Sequence, residues 1–150
     1  MILLKGDCYK EIKPNSVYLA TCNSVIGANG TLVMGKGNAK ALLKTFNDRA
    51  DLRLADYINN GEEYNLRIIQ YRPKENIYYG AFQSKHHFKD KSDIGLIERS
   101  ILKLKEAANQ RKDLIFHLPF PGIGLGGLKY EDVIKILLQL PDNVYVWTKG

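Results

Sequence analysis

The sequence predicts an α/β layer fold in which helices cover both faces of a largely parallel sheet. Three observations carry that prediction. Short apolar runs of strand character alternate with segments of helical period, as they do when strands cross over to helices and back. Two glycine-rich loops each follow a strand and lead into a helix. The 150 residues are 45% hydrophobic and 25% charged, the size and balance of one ordinary domain with a core of its own, so a single domain over 1–150 is expected.

The elements follow in order. Ile2 to Lys5 and Val17 to Cys22 are short apolar runs closed by polar residues, and Pro14, Asn15 and Ser16 make a turn between them. From Gly35 to Asp48 the pattern turns helical, with Ala39, Leu42, Leu43 and Phe46 in one stripe. A second helix is expected over Leu52 to Ile58, stopped by Asn59, Asn60 and Gly61. Strands Leu66 to Tyr71 and Ile77 to Phe82 flank a turn containing Pro73. The stretch Ser92 to Asn109 opens with Ser92 as its cap and puts Ile94, Ile97, Ile101, Leu104 and Ala108 on one face. Leu114 to Leu118 is a strand, Tyr130 to Leu140 a helix ending before Pro141, and Val144 to Trp147 the closing strand.

No basic-then-apolar leader opens the sequence, and no run approaches the roughly 18 apolar residues of a membrane span. A cytoplasmic protein without membrane contact is therefore expected. Cys8 and Cys22 are too few for a disulfide framework or a zinc site and read as buried thiols. A formal charge of +6 favours an anionic partner, which leaves nucleic acid, a nucleotide or an acidic surface open.

The first glycine loop runs from Gly27 to Gly37 into a helix, where backbone N–H groups and a helix N-terminus attract anions. Gly30 to Lys36 fits GxxxxGK, but Gly37 replaces the Ser or Thr that a P-loop uses to hold magnesium, which argues against an ATPase. The second loop, Gly122 to Gly127, contains GxGxxG too late in the chain for a dinucleotide fold. Turn-making would explain one such loop. Two at the carboxyl ends of parallel strands point to phosphate binding.

Together these segments resemble the macrodomain family across nearly the whole chain. Lys5-Gly6-Asp7 is similar to the family's opening Gly-Asp, whose aspartate accepts a hydrogen bond from the adenine amino group. Thr21 to Val25 resembles its strand-end asparagine motif, Met34 to Ala39 its first ligand loop, and Pro121 to Leu128, followed by Tyr130, its phosphate loop. The resemblance implies a three-layer α/β/α fold with a central mixed, largely parallel sheet. It also implies an ADP-ribose ligand or an ADP-ribosylated substrate, no cofactor and no metal. The implied ligand-binding residues are Asp7, Cys8, Met34, Gly35, Lys36, Gly37, Pro121, Gly122, Ile123, Gly124, Leu125, Gly126 and Gly127.

Met34 to Gly37, with Phe82 to Lys85 and Phe88, is similar to the branch that removes ADP-ribose from acidic side chains or DNA bases. There a lysine at the position of Lys85 attacks the anomeric carbon of the distal ribose, so the resemblance implies a hydrolase with Lys85 and Asn23 as catalytic residues. Protein-directed members place an aspartate where this sequence has Gly126, whereas DNA-directed antitoxin members have glycine there too. Ile26 to Leu32 is an insertion between Asn23 and the first ligand loop.

Residue chemistry leaves alternatives open. Lys85 lies in the basic stretch Lys85 to Lys91, where a solvated lysine is the plain alternative to a nucleophile. Either His86 or His87 is a candidate proton donor, and His117, inside an apolar run, reads as a core histidine. Lys36, Lys40 and Lys44 form a ridge that is either a solvated face or, with Lys85 to Lys91, a seat for nucleic-acid phosphates. Trp147 either flanks an adenine or packs at the core edge. A non-catalytic ADP-ribose reader, an ADP-ribose 1″-phosphate phosphatase and a plain nucleic-acid module are the competing functions. A monomer is expected.

Overall fold

The computed structural model describes residues 1–149. In chain order the elements are β1 (Ile2–Lys5), β2 (Ser16–Cys22), α1 (Gly37–Phe46), α2 (Ala50–Ala55), β3 (Leu66–Arg72), β4 (Ile77–Gln83), α3 (Ile94–Gln110), β5 (Ile115–Pro119), α4 (Tyr130–Leu137) and β6 (Val144–Thr148). The strands form one sheet in the order β1-β6-β5-β2-β4-β3. Every neighbouring pair is parallel except β3 with β4.

Alternation along β2 explains the layers. Tyr18, Ala20 and Cys22 point to one face, where Leu42 and Phe46 of α1 and Ala50 and Leu54 of α2 close over them. Val17 and Leu19 point to the other, against Ile97, Ile101, Leu104 and Ala108 of α3 and Val133 and Leu137 of α4. Burial on both sides is why β2 reads as a continuous apolar run. Each such fully buried aliphatic side chain contributes about 1.5–3 kcal/mol by leaving water. The fold class read from the sequence is the one observed.

Element ends differ from the sequence reading for local reasons. Helix α1 stops at Phe46 because Asn47 turns left-handed, φ 46°, as its cap. Helix α2 occupies Ala50–Ala55, not Leu52 to Ile58, since it starts directly after the left-handed Arg49. Helix α4 ends at Leu137 and only a turn continues to Leu140. Helix α3 is capped by Asp93, whose carboxylate accepts from the Leu96 N–H at 3.1 Å. The expected cap, Ser92, uses its own N–H elsewhere, donating to the Gly126 carbonyl at 2.9 Å.

One consequence of the topology positions everything that follows. β2 and β5 are neighbours, yet α1 leaves β2 toward one face while α4 leaves β5 toward the other. Their carboxyl ends therefore diverge around a crevice, the place where ligands enter open α/β sheets.

Candidate functional site

Both glycine loops flank that crevice. After β2, Gly35, Lys36 and Gly37 are exposed and lead into α1, whose first turn no side chain caps. Asn38 anchors this helix start to the sheet: its Oδ1 accepts from the Thr21 N–H at 2.6 Å and from the Thr21 hydroxyl at 3.0 Å. The helix N-terminus is thus fixed, uncapped and open, a ready seat for an anion. Met34 is buried in the core, so it can meet a ligand only through its backbone, and the same holds for Cys8.

After β5, Pro121 and Gly122 are buried and Ile123 is half-buried, while Gly124 and Leu125 project at the tip. Gly124 has φ +66° with nothing within 4 Å of where a Cβ would stand. Gly126 is different. A Cβ there would meet the Ser92 hydroxyl, so the Ser92 side chain lies close against the loop. Position 126 has no space for the aspartate of the protein-directed pattern without moving Ser92.

Asn23, at the end of β2, is buried and engaged at both ends of its amide. Its Oδ1 accepts from the Val25 N–H at 2.9 Å and its Nδ2 donates to the Val33 carbonyl at 3.0 Å. It closes the base of the inserted segment, which folds back on itself with Ile26 bridging Leu32, and so returns Val33 to Gly37 to the crevice. In this arrangement Asn23 positions the first ligand loop.

Lys85 follows β4, one strand beyond β2. Its surroundings are rigid: the Ser24 N–H and hydroxyl both donate to the His86 carbonyl at 3.0 Å, and the Ser84 N–H donates to the Cys22 carbonyl at 3.0 Å. Lys85 is half-buried, and its ammonium donates to the Phe88 carbonyl at 3.3 Å in an exposed hydrogen bond. Burial pushes the neighbouring Cys22 thiol up to about 12, against a small opposing pull from the Lys85 charge, and burial raises Cys8 as well. Both cysteines are buried, and burial disfavours the thiolate that a reactive cysteine needs. The hold of Ser24 on His86, and the bond from the Asp93 N–H to the Ser84 carbonyl at 2.9 Å, carry no signal in the sequence, because no local pattern announces them.

At the other end of the crevice stand Asp7, after β1, and Trp147, in β6. Asp7 is exposed, with Oδ1 accepting from the Tyr9 N–H at 2.9 Å. The Trp147 indole is half-buried, and its Nε1 donates to His117 Nδ1 at 3.1 Å. His117 is the core histidine expected: burial, helped by the Lys13 charge, holds it down at about 4 from an ordinary 6.5. A depressed histidine resists protonation in the fold, so its contribution is complete above pH 6.5 and is lost as the pH falls toward 4. Urea unfolding at stepped pH should show a loss of up to about 3 kcal/mol across that window. His117→Phe should flatten the slope; the same slope in wild type and variant would refute the assignment.

No protein-family model and no curated protein matches the chain. Solved structures do. The macrodomain of Thermus aquaticus DarG superposes with a TM-score of 0.76 at 22% identity, over 99% of this chain and 97% of that one. The macrodomain of Mycobacterium tuberculosis DarG gives 0.74 at 20% identity, over 99% of each chain. Thermosipho africanus DarTG, solved in complex with ADP-ribose, gives 0.73 at 20% identity, over 97% of this chain and 41% of that one. Strand order, layers and crevice together with these matches establish that the chain has the macrodomain fold.

Proposed function

We propose that the protein binds ADP-ribose across the carboxyl ends of its strands and hydrolyses an ADP-ribosyl linkage with Lys85 as the nucleophile. The observation that carries this reading is the order in which the sheet sets out its candidate groups. Asp7 follows β1, Trp147 lies in β6, the Gly122–Gly127 loop follows β5, Gly35–Gly37 follows β2 and Lys85 follows β4, so neighbours in the site are neighbours in the sheet. At about 4.8 Å per strand, the four steps from β1 to β4 span about 19 Å. A ligand with adenine at one end, a diphosphate in the middle and a second ribose at the other matches that sequence of groups. The ADP-ribose held by the Thermosipho africanus protein is consistent with it.

In the reaction, the unprotonated Lys85 amine attacks the anomeric carbon of the distal ribose. The bond from that carbon to the target breaks with its electron pair, and the target takes a proton, for which His86 and His87 are the nearest histidines in the chain. Water then hydrolyses the lysine adduct, releasing ADP-ribose and restoring the amine, so one water is consumed per linkage. Gly126 itself, without the aspartate of the protein-directed pattern, supports modified nucleic acid over modified protein. Exposed Lys36, Lys40, Lys44, Lys89 and Lys91 make no ion pair among the described residues and could face its phosphates.

Calorimetry with ADP-ribose tests the binding half. Single-turnover assays with modified DNA, modified protein and ADP-ribose 1″-phosphate test the chemistry; binding without turnover of any of them would leave a reader. Asp7→Ala should weaken ADP-ribose by about 1–3 kcal/mol, the worth of a hydrogen bond to a charged group, and erase any preference over a guanine analogue. Equal binding of both nucleotides by the wild type would remove Asp7 from the site.

A further inference from the structure

We infer that His117 is a positioning residue for nucleotide binding: it fixes the Trp147 indole as the platform on which the adenine of the ligand stacks. The inference rests on the ADP-ribose reading above and assigns a role to a buried group that the proposed chemistry does not use.

The indole is held at both ends. Its Nε1 donates to His117 Nδ1 at 3.1 Å, so the histidine is neutral on that nitrogen and acts as an acceptor. Its opposite, six-membered edge faces Gly6, where a Cβ would stand 3.6 Å from Cζ3. Gly6 has φ +132° and donates its N–H to the Thr148 carbonyl at 2.8 Å, which brings the start of the Asp7 turn against β6. The Trp147 carbonyl accepts from the Phe120 N–H at 2.8 Å, which ties the same residue to the chain entering the phosphate loop.

His117 is itself clamped. It stacks on Tyr18 with ring centres 4.5 Å apart and planes 6° apart, and Tyr145 meets it edge-on at 5.6 Å. The Tyr18 hydroxyl accepts from the Lys13 N–H at 2.8 Å and donates to the Glu11 carbonyl at 3.1 Å. A continuous run of fixed groups thus leads from the β1–β2 connection through Tyr18 and His117 to an indole that is half-buried against Gly6, the residue before Asp7. Any buried indole N–H needs an acceptor, and the one Trp147 has is itself locked in place by Tyr18 and Tyr145. That leaves the ring a single orientation, against the residue before the one expected to read adenine.

Trp147 is the chain's one tryptophan, so its fluorescence reports on this site alone. ADP-ribose should change the emission of the wild type, and inorganic pyrophosphate should not. His117→Phe keeps the stack on Tyr18 but removes the acceptor. It should shift the emission of the free protein and weaken ADP-ribose by about tenfold, a typical worth of one base stack, without weakening pyrophosphate. His117→Asn, which offers an acceptor near the place of Nδ1, should recover most of the affinity. Trp147→Leu should match the loss in His117→Phe, and the double variant should lose no more, because both changes remove one platform. Additive losses, equal weakening of both ligands in a folded variant, or an emission indifferent to bound ADP-ribose would overturn the inference while ADP-ribose binding stands. A wild type that binds no ADP-ribose would overturn the functional reading and this inference together.

Discussion

A Lys85→Arg protein is expected to bind ADP-ribose within about threefold of the wild type and to lose at least about a hundredfold in single-turnover rate. The split follows from where the amine acts. A nucleophile gains its interaction with the anomeric carbon in the transition state, so its removal is felt in the rate and little in ground-state affinity. Arginine retains the positive charge beside the crevice but cannot be deprotonated in a protein, so it separates nucleophilicity from electrostatics. The site favours a clean comparison: Ser24, Ser84 and Gln83 fix the backbone around residue 85 through bonds that do not involve its side chain. Lys85→Ala should show the same rate loss. Full activity of Lys85→Arg on every substrate the wild type cleaves would exclude the nucleophile and favour a reader, or a phosphatase that uses other groups.

The limits of the sequence reading have the same origin as that rigidity, bonds between residues far apart in the chain. The layer architecture was legible because β2 alternates between two buried faces and α3 places Ile97, Ile101, Leu104 and Ala108 at helical spacing, and both patterns are local. The glycine loops were legible because residues without Cβ between a strand and a helix have few other uses. What escaped was which of two neighbouring groups does which task. Ser92 and Asp93 are both acceptable caps, and only the approach of Gly126, distant in sequence, assigns Asp93 to α3 and Ser92 to the loop. Likewise Met34 and Cys8 sit in the right motifs, yet their side chains are buried in the core and only their backbones can reach the crevice. The hold of Ser24 on His86 spans 62 positions, beyond any periodicity.

Gly124→Glu is expected to abolish ADP-ribose binding, weakening it at least about a hundredfold, in a protein that still folds. Two costs have to be separated. The first is conformational: φ at this position is +66°, and an L residue there costs about 1–2 kcal/mol. Against an ordinary domain stability of about 5–15 kcal/mol that is tolerable, and no neighbour obstructs the new side chain, since nothing lies within 4 Å of the Cβ position. The second cost falls on the ligand. A carboxylate at the tip of the Gly122–Gly127 loop would occupy the crevice and oppose a diphosphate, and like charges brought together in such a site cost several kcal/mol. Gly124→Ala shares the first cost and lacks the second, so it should melt about as early as the glutamate variant yet keep most of its affinity. Thermal melting and calorimetry on the pair therefore decide the point. A folded Gly124→Glu protein with wild-type affinity would remove this loop from the ligand site, because no arrangement that seats a diphosphate on it could ignore a negative charge placed at its open tip.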